Sequence, residues 1–164
     1  MLAAGMRTPA EVARAAFDAV GRRDPDGIVE LGEVDYVDDF VAVGEFRGRD
    51  AVRDFFRQTF AAFPDLTMTV DRIVADEGSA VVQWHLSGTF SGGPFQGIRP
   101  TGRRVELRGV DVMEIADGLI QRNTIYYDGA SFARQIGLLP GQGSRADRSL
   151  LSAFNALARL RRRR

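Results

Sequence analysis

Residues 103–127 read RRVELRGVDVMEIADGLIQRNTIYY. Leu107, Gly109, Asp111 and Met113 recur with the two-residue period that puts them on one face of a strand. Asp117-Gly118 is a turn signal, and Leu119–Tyr127 resumes in Ile, Thr and Tyr. Two strands joined by so short a turn run antiparallel. Upstream, Leu66–Ala75 and Ser79–Phe90 have the same composition, with Asp76-Glu77-Gly78 between them. The segment Gly92–Gly102 is a longer loop. Residues 66–127 therefore predict a meander of four long strands.

What precedes the meander is helical. Thr8 and Glu11 form a capping box around Pro9, and Val12, Ala15, Ala16, Ala19 and Val20 follow at helical spacing until Gly21. Asp24-Pro25 starts a short second helix through Leu31. Tyr36–Val43 is apolar but carries Asp38 and Asp39, and reads as a short edge strand or loop. After Gly48 a third helix places Val52, Phe55, Phe56, Thr59, Phe60 and Phe63 on one stripe, and Pro64 stops it. Helices first and strands after give an α+β class. Ser131 caps a last short helix through Ile136, and Gly141–Ser144 is a linker. Beyond it Leu150, Leu151, Phe154, Leu157 and Leu160 define an amphipathic helix ending in Arg161–Arg164. The expected organisation is one domain over residues 7–140 and a basic helical tail over 141–164.

Composition narrows the chemistry. The 164 residues contain no cysteine and one histidine, His85; all 22 basic residues are arginine. This removes disulfides, thiolate nucleophiles, lysine Schiff bases and multi-histidine metal sites, and neither common phosphate-binding loop occurs. No metal and no cofactor are expected. Asp, Glu, Tyr, Arg, Trp and one His suit proton transfer and hydrogen bonding to a neutral organic ligand. Without its arginine run the chain is mildly acidic, which argues against nucleic acid as a partner. No apolar run is long enough to span a membrane, and residues 1–6 lack the features of a secretory signal, so the cytoplasm is the expected compartment.

Several ordered motifs carry a resemblance: Phe63-Pro64-Asp65-Leu66, Trp84–Phe90, Pro100–Val105, Ile115–Ile120, Tyr127-Asp128 and Gln135–Pro140. Over about residues 7–140 the chain resembles the SnoaL-like polyketide cyclases of the nuclear transport factor 2-like superfamily, which includes ketosteroid isomerases and limonene-type epoxide hydrolases. The resemblance implies a cone-shaped curved antiparallel sheet packed by N-terminal helices around an internal pocket, and a homodimer through the outer sheet face. It places Asp111 where ketosteroid isomerases hold an acidic hydrogen-bond donor. Asp128 matches the acid/base aspartate of aglycone cyclases. Asp39 resembles the general base of ketosteroid isomerases, with Asp38 its rival for the pocket, since strand neighbours face opposite ways. Tyr36, Trp84, Phe56, Phe60, Met113, Tyr126 and His85 are the candidate substrate contacts.

Two departures qualify the resemblance. Ketosteroid isomerases carry a tyrosine in the first helix where this chain has the vicinity of Ala16. Limonene-type epoxide hydrolases carry an arginine two residues before the strand aspartate, where this chain has Gly109. The expected function is cofactor-independent acid/base chemistry on an apolar polycyclic or polyketide-like small molecule. Asp128 or Asp39 would remove a proton and Asp111 would stabilise the enolate. Epoxide opening by the same carboxylates, and ligand binding by a non-catalytic dimeric module, are the alternatives.

Overall fold

The computed structural model describes residues 6–161. Helix α1 (Pro9–Gly21) starts at the capping box: Thr8 accepts from the Glu11 amide, and the Glu11 carboxylate accepts from the Thr8 amide at 2.8 Å. Its left-handed exit falls on Arg23 (φ 58°) and not on a glycine. The Arg23 guanidinium donates to the carbonyls of Phe60 and Pro64 and lies over the Phe60 ring, fastening the end of α1 to the end of α3. Helix α2 (Pro25–Val29) is one turn, capped by Asp24. Strands β1 (Gly32–Phe40) and β2 (Gly44–Arg47) lead into α3 (Gly48–Ala62).

The meander follows as β3 (Thr67–Ala75), β4 (Ser79–Thr89), β5 (Arg104–Ala116) and β6 (Leu119–Tyr127), close to the predicted bounds. The six strands form one curved, unclosed sheet in the order β2-β1-β6-β5-β4-β3. Neighbours are antiparallel except β1 and β6, which run parallel. The segment read as an edge strand or loop is thus the second strand of the sheet, with β2 outside it. Two adjacent aspartates are an uncommon composition for an inner strand. Each acid is accommodated, one in the cavity described below and one in an ion pair.

Helices α1, α2 and α3 cover the concave face. Val12, Val29, Val52, Val82, Phe90 and Val105 are fully buried between helices and sheet. Phenylalanines link the layers: Phe55 meets Phe40 at 4.3 Å and Phe46 at 4.5 Å, and Phe63 stacks on Phe90 at 5.2 Å between ring centroids. Helix α4 (Gly129–Gln135) lies against the stretch of β5 that β6 does not reach. The Gln135 amide exchanges two hydrogen bonds with the Glu106 backbone, at 2.6 and 2.9 Å, satisfying the open edge. The cap of α4 is Asp128, not Ser131: its carboxylate accepts from the Ser131 amide at 2.9 Å. Helix α5 (Arg145–Arg161) follows the linker. Residues 1–5 and the last three arginines of the basic run, 162–164, lie outside the described residues.

The Phe63–Phe90 stack ties α3 to the end of β4, so truncating Phe90 should open a cavity that neither element can fill. Phe90→Ala is expected to cost about 3–5 kcal/mol. Equilibrium urea unfolding should show a lower midpoint with an unchanged slope; an unmoved midpoint would refute this account of the core.

Candidate functional site

Five strands deliver side chains to one hollow, β3 through Met68. Tyr36 and Asp38 come from β1, Asn123, Ile125 and Tyr127 from β6, Asp111 and Met113 from β5, and Trp84 from β4. The α3 stripe (Phe55, Phe56, Thr59, Phe60 and Phe63) and Ala16, Phe17 and Val20 of α1 close the other side. The cavity measures about 130 Å³. Its wall is largely apolar, and its two carboxyls, Asp38 and Asp111, meet at Asn123.

Those three residues sit on adjacent strands. Asp38 lies in register with Asn123 across the parallel β1–β6 pair, and Asp111 is one strand further on. Asp111 is buried, and it accepts from the Trp84 indole Nε1–H at 2.7 Å and from the Asn123 amide Nδ2–H at 2.8 Å, one bond to each oxygen. Trp84 and Gly109 are cross-strand partners. The indole lies so close over Gly109 that a Cβ there would come within 2.3 Å of the ring. The glycine at the position where epoxide hydrolases carry arginine is therefore the space that lets Trp84 reach Asp111.

Burial sets the protonation behaviour. Loss of solvent pushes Asp38 up to about 8; the charge of Asp111 adds to the rise and a hydrogen bond from Asn123 opposes it. Loss of solvent also raises Asp111, but the bonds donated by Asn123 and Trp84 hold it to about 6. The two donated bonds favour the charged form of Asp111, while burial and the neighbouring carboxyl favour the protonated form of Asp38. Two polar atoms complete the polar end of the cavity. The Tyr36 hydroxyl and the Asn123 Oδ1 are buried with no hydrogen-bond partner. Burial raises the tyrosine pKa further from neutrality, so its O–H remains a donor. Unpartnered polar atoms in an apolar hollow are costly unless a ligand satisfies them.

Of the residues singled out from the sequence, Asp111, Tyr36, Trp84, Phe56, Phe60 and Met113 line the cavity. The others do not, and strand parity is the main reason. Asp39 points to the opposite face of β1, where it pairs with Arg122 at 2.6 Å; the same guanidinium reaches Glu45 at 2.6 Å. The neighbour Asp38 takes the inward position. Asp128 is exposed and occupied as the α4 cap. His85 is exposed beside Asp71, 2.8 Å away, and Tyr126 is exposed, both on the outer face of the sheet. Asn123 is not among those residues, although an amide two residues before Ile125 and four before Tyr127 occupies an inward position of an otherwise apolar strand face. Among the described residues no three His, Asp or Glu side chains gather as metal ligands do.

Comparison with known proteins agrees with this architecture. No curated protein matches the chain. A candidate SnoaL-like polyketide cyclase from Jannaschia sp. CCS1 superposes with a TM-score of 0.71 at 24% identity, covering 82% of this chain and 98% of its own, and shows the shared fold. AclR, a candidate hydroxylase from Streptomyces galilaeus, gives 0.69 at 25% identity over 93% of this chain and 92% of its own. IdmH, a candidate polyketide cyclase from Streptomyces antibioticus, gives 0.66 at 26% identity over 80% and 99%. The SnoaL-like polyketide cyclase family itself matches over residues 10–136. With the whole sheet and every residue lining the cavity inside that span, the chain belongs to the SnoaL-like polyketide cyclase family.

Proposed function

We propose that the protein is a cofactor-independent cyclase or isomerase that moves a proton within an apolar, polyketide-like substrate, using Asp111 and Asp38 as base and acid. One observation carries the reading: two buried carboxyls, on the strands that flank β6, share a single largely apolar cavity, and only Asp111 is held by two N–H donors, one on each oxygen. Near neutral pH the cavity then holds a carboxylate and a carboxylic acid on either side of Asn123, which is the pairing that general acid–base catalysis needs.

The step is balanced within the site. The Asp111 carboxylate takes a proton from the carbon next to a substrate carbonyl, and the C–H electron pair becomes the enol double bond. Asp38 gives its proton to the carbonyl oxygen, while the Tyr36 hydroxyl donates a hydrogen bond to that same oxygen. The enol carbon then attacks a second carbonyl to close a ring, or takes a proton back at another position. The acid and base exchange roles to restore the resting state. Asp39 and Asp128 take no part, the one being neutralised by Arg122 and the other spent on a helix end. The phenylalanine wall supplies apolar contact to the carbon skeleton and keeps bulk water from the enol.

Substitution tests the assignment directly. Asp111→Asn should lower turnover by about 10²–10⁴-fold, the range for loss of a positioned acid or base. Asp38→Asn should lower it by about 10²–10³-fold, as for loss of an oxyanion donor. Asp39→Asn and Asp128→Asn should leave it nearly unchanged, and asparagine still caps a helix. If turnover of an apolar ketone substrate survives the first two changes, the proposal fails.

The pH profile gives a second test. A base that works ionised loses activity as pH falls through about 6, and an acid that works protonated loses activity as pH rises through about 8. A bell-shaped kcat/KM with its top near neutrality is therefore expected. A profile flat from pH 5 to pH 9 would contradict the assignment.

Stability should follow the same two groups. Both carboxyls have folded-state pKa values above the ordinary 3.8, so the folded chain binds more protons than the unfolded chain between about pH 4 and pH 8. Stability contributed by these groups is greatest below that window and declines as pH rises through it. Asp38→Asn removes the larger shift. Its Tm should exceed that of the parent at pH 8 and the difference should shrink towards pH 4, as calorimetry at the two pH values would show.

A further inference from the structure

Helix α5 presents an apolar face that the domain leaves uncovered. With 3.6 residues per turn, Leu150, Phe154 and Leu157 fall on one side and Leu151 at its margin. Arg145, Arg148, Ser152 and Arg159 fall on the opposite side. Leu150, Leu151, Phe154 and Leu157 are 53–67% exposed. Residues 145–164 contain seven arginines and one acid, Asp147, whose carboxylate already accepts from the Gly143 amide at 2.8 Å. The preceding 144 residues hold 15 arginines and 21 acids. The helix is therefore strongly basic and amphipathic, and the body it is attached to is acidic.

We propose that α5 is a peripheral lipid anchor, lying flat in the headgroup layer of an anionic membrane. Phe154 and the leucines would enter the acyl boundary, and the arginines would pair with lipid phosphates. Charge complementarity favours this occupant. Guanidinium groups match phosphate oxygens two at a time, and basic residues flanking an apolar stripe are the pattern of helices that rest on membranes. The acidic body is repelled by the same surface, so it stands off the membrane and attachment runs through α5 alone. No helix among the described residues is long and apolar enough to cross a membrane, and the 17 residues of α5 make a rod about 25 Å long that fits the interface plane.

The test is flotation of the full chain with phosphatidylcholine vesicles, with and without phosphatidylglycerol. Binding is expected only when phosphatidylglycerol is present, and it should vanish at about 1 M salt, where screening acts within about 3 Å. Arg159→Ala should weaken binding about fivefold, the effect of one basic residue at an anionic surface. Phe154→Asp places a carboxylate in the apolar face of an exposed residue, so the fold is kept and binding should be lost. Equal binding to both vesicle types, binding to neither, or unchanged binding by Phe154→Asp overturns the proposal. So does a chain that binds no vesicle but whose dimer is broken by Phe154→Asp, which would assign the face to a second copy. Duplex DNA binding that Phe154→Asp leaves intact, without vesicle binding, would assign the arginines to nucleic acid and overturn it as well.

Discussion

Trp84 and Asn123 hold Asp111 from two sides, through N–H donors 2.7 and 2.8 Å away. A carboxylate taken out of water without such donors costs several kcal/mol or gives up its charge. Asp38, in the same hollow, lacks an equivalent pair of donors, and it is the one driven to retain its proton. The split between the two acids thus follows from the distribution of donors, not from any difference in their own chemistry. Each element of the fold contributes to that distribution. Gly109 clears the space for the indole, the parallel β1–β6 register brings Asn123 beside Asp38, and the α3 phenylalanines exclude the solvent that would otherwise level the two.

The proposed acidic roles run in the reverse order from those the family resemblance implies. Asp111 would have been the neutral donor by likeness to ketosteroid isomerases, but two donated hydrogen bonds favour its charged form. The neutral partner is supplied from β1 instead. Ala16 leaves the first helix without a hydroxyl, and the buried Tyr36 hydroxyl on β1 offers a donor from the facing wall. A shared fold therefore fixes where polar groups can enter the hollow but leaves open which strand supplies each of them.

Local rules were sufficient wherever the determinant was local. The Thr8–Glu11 box located α1, and composition and turn residues located the four meander strands. Parity alone showed that Asp38 and Asp39 face opposite ways, but not which faces in, because that depends on pairing with β6 far along the chain. The same distant pairing hid β1 as an inner strand. Asp128 satisfied two readings at once, and the short-range one, capping, is the one realised. Asn123 went unnoticed because an amide in a strand is unremarkable until its neighbours across the sheet are known.

The parallel contact between β1 and β6 has a consequence for how the molecule acquires its site. Arg122 grips Asp39 from 83 positions further along the sequence, and the neighbouring contact between Asp38 and Asn123 spans a similar stretch. The hairpins β3–β4, β4–β5 and β5–β6 can form from near neighbours, whereas this pairing must close a loop that includes them all. Assembly of the acid pair therefore requires closure of the longest loop among the sheet's strand pairings. A molecule with only its meander in place still lacks the Asp38–Asn123 contact beside Asp111.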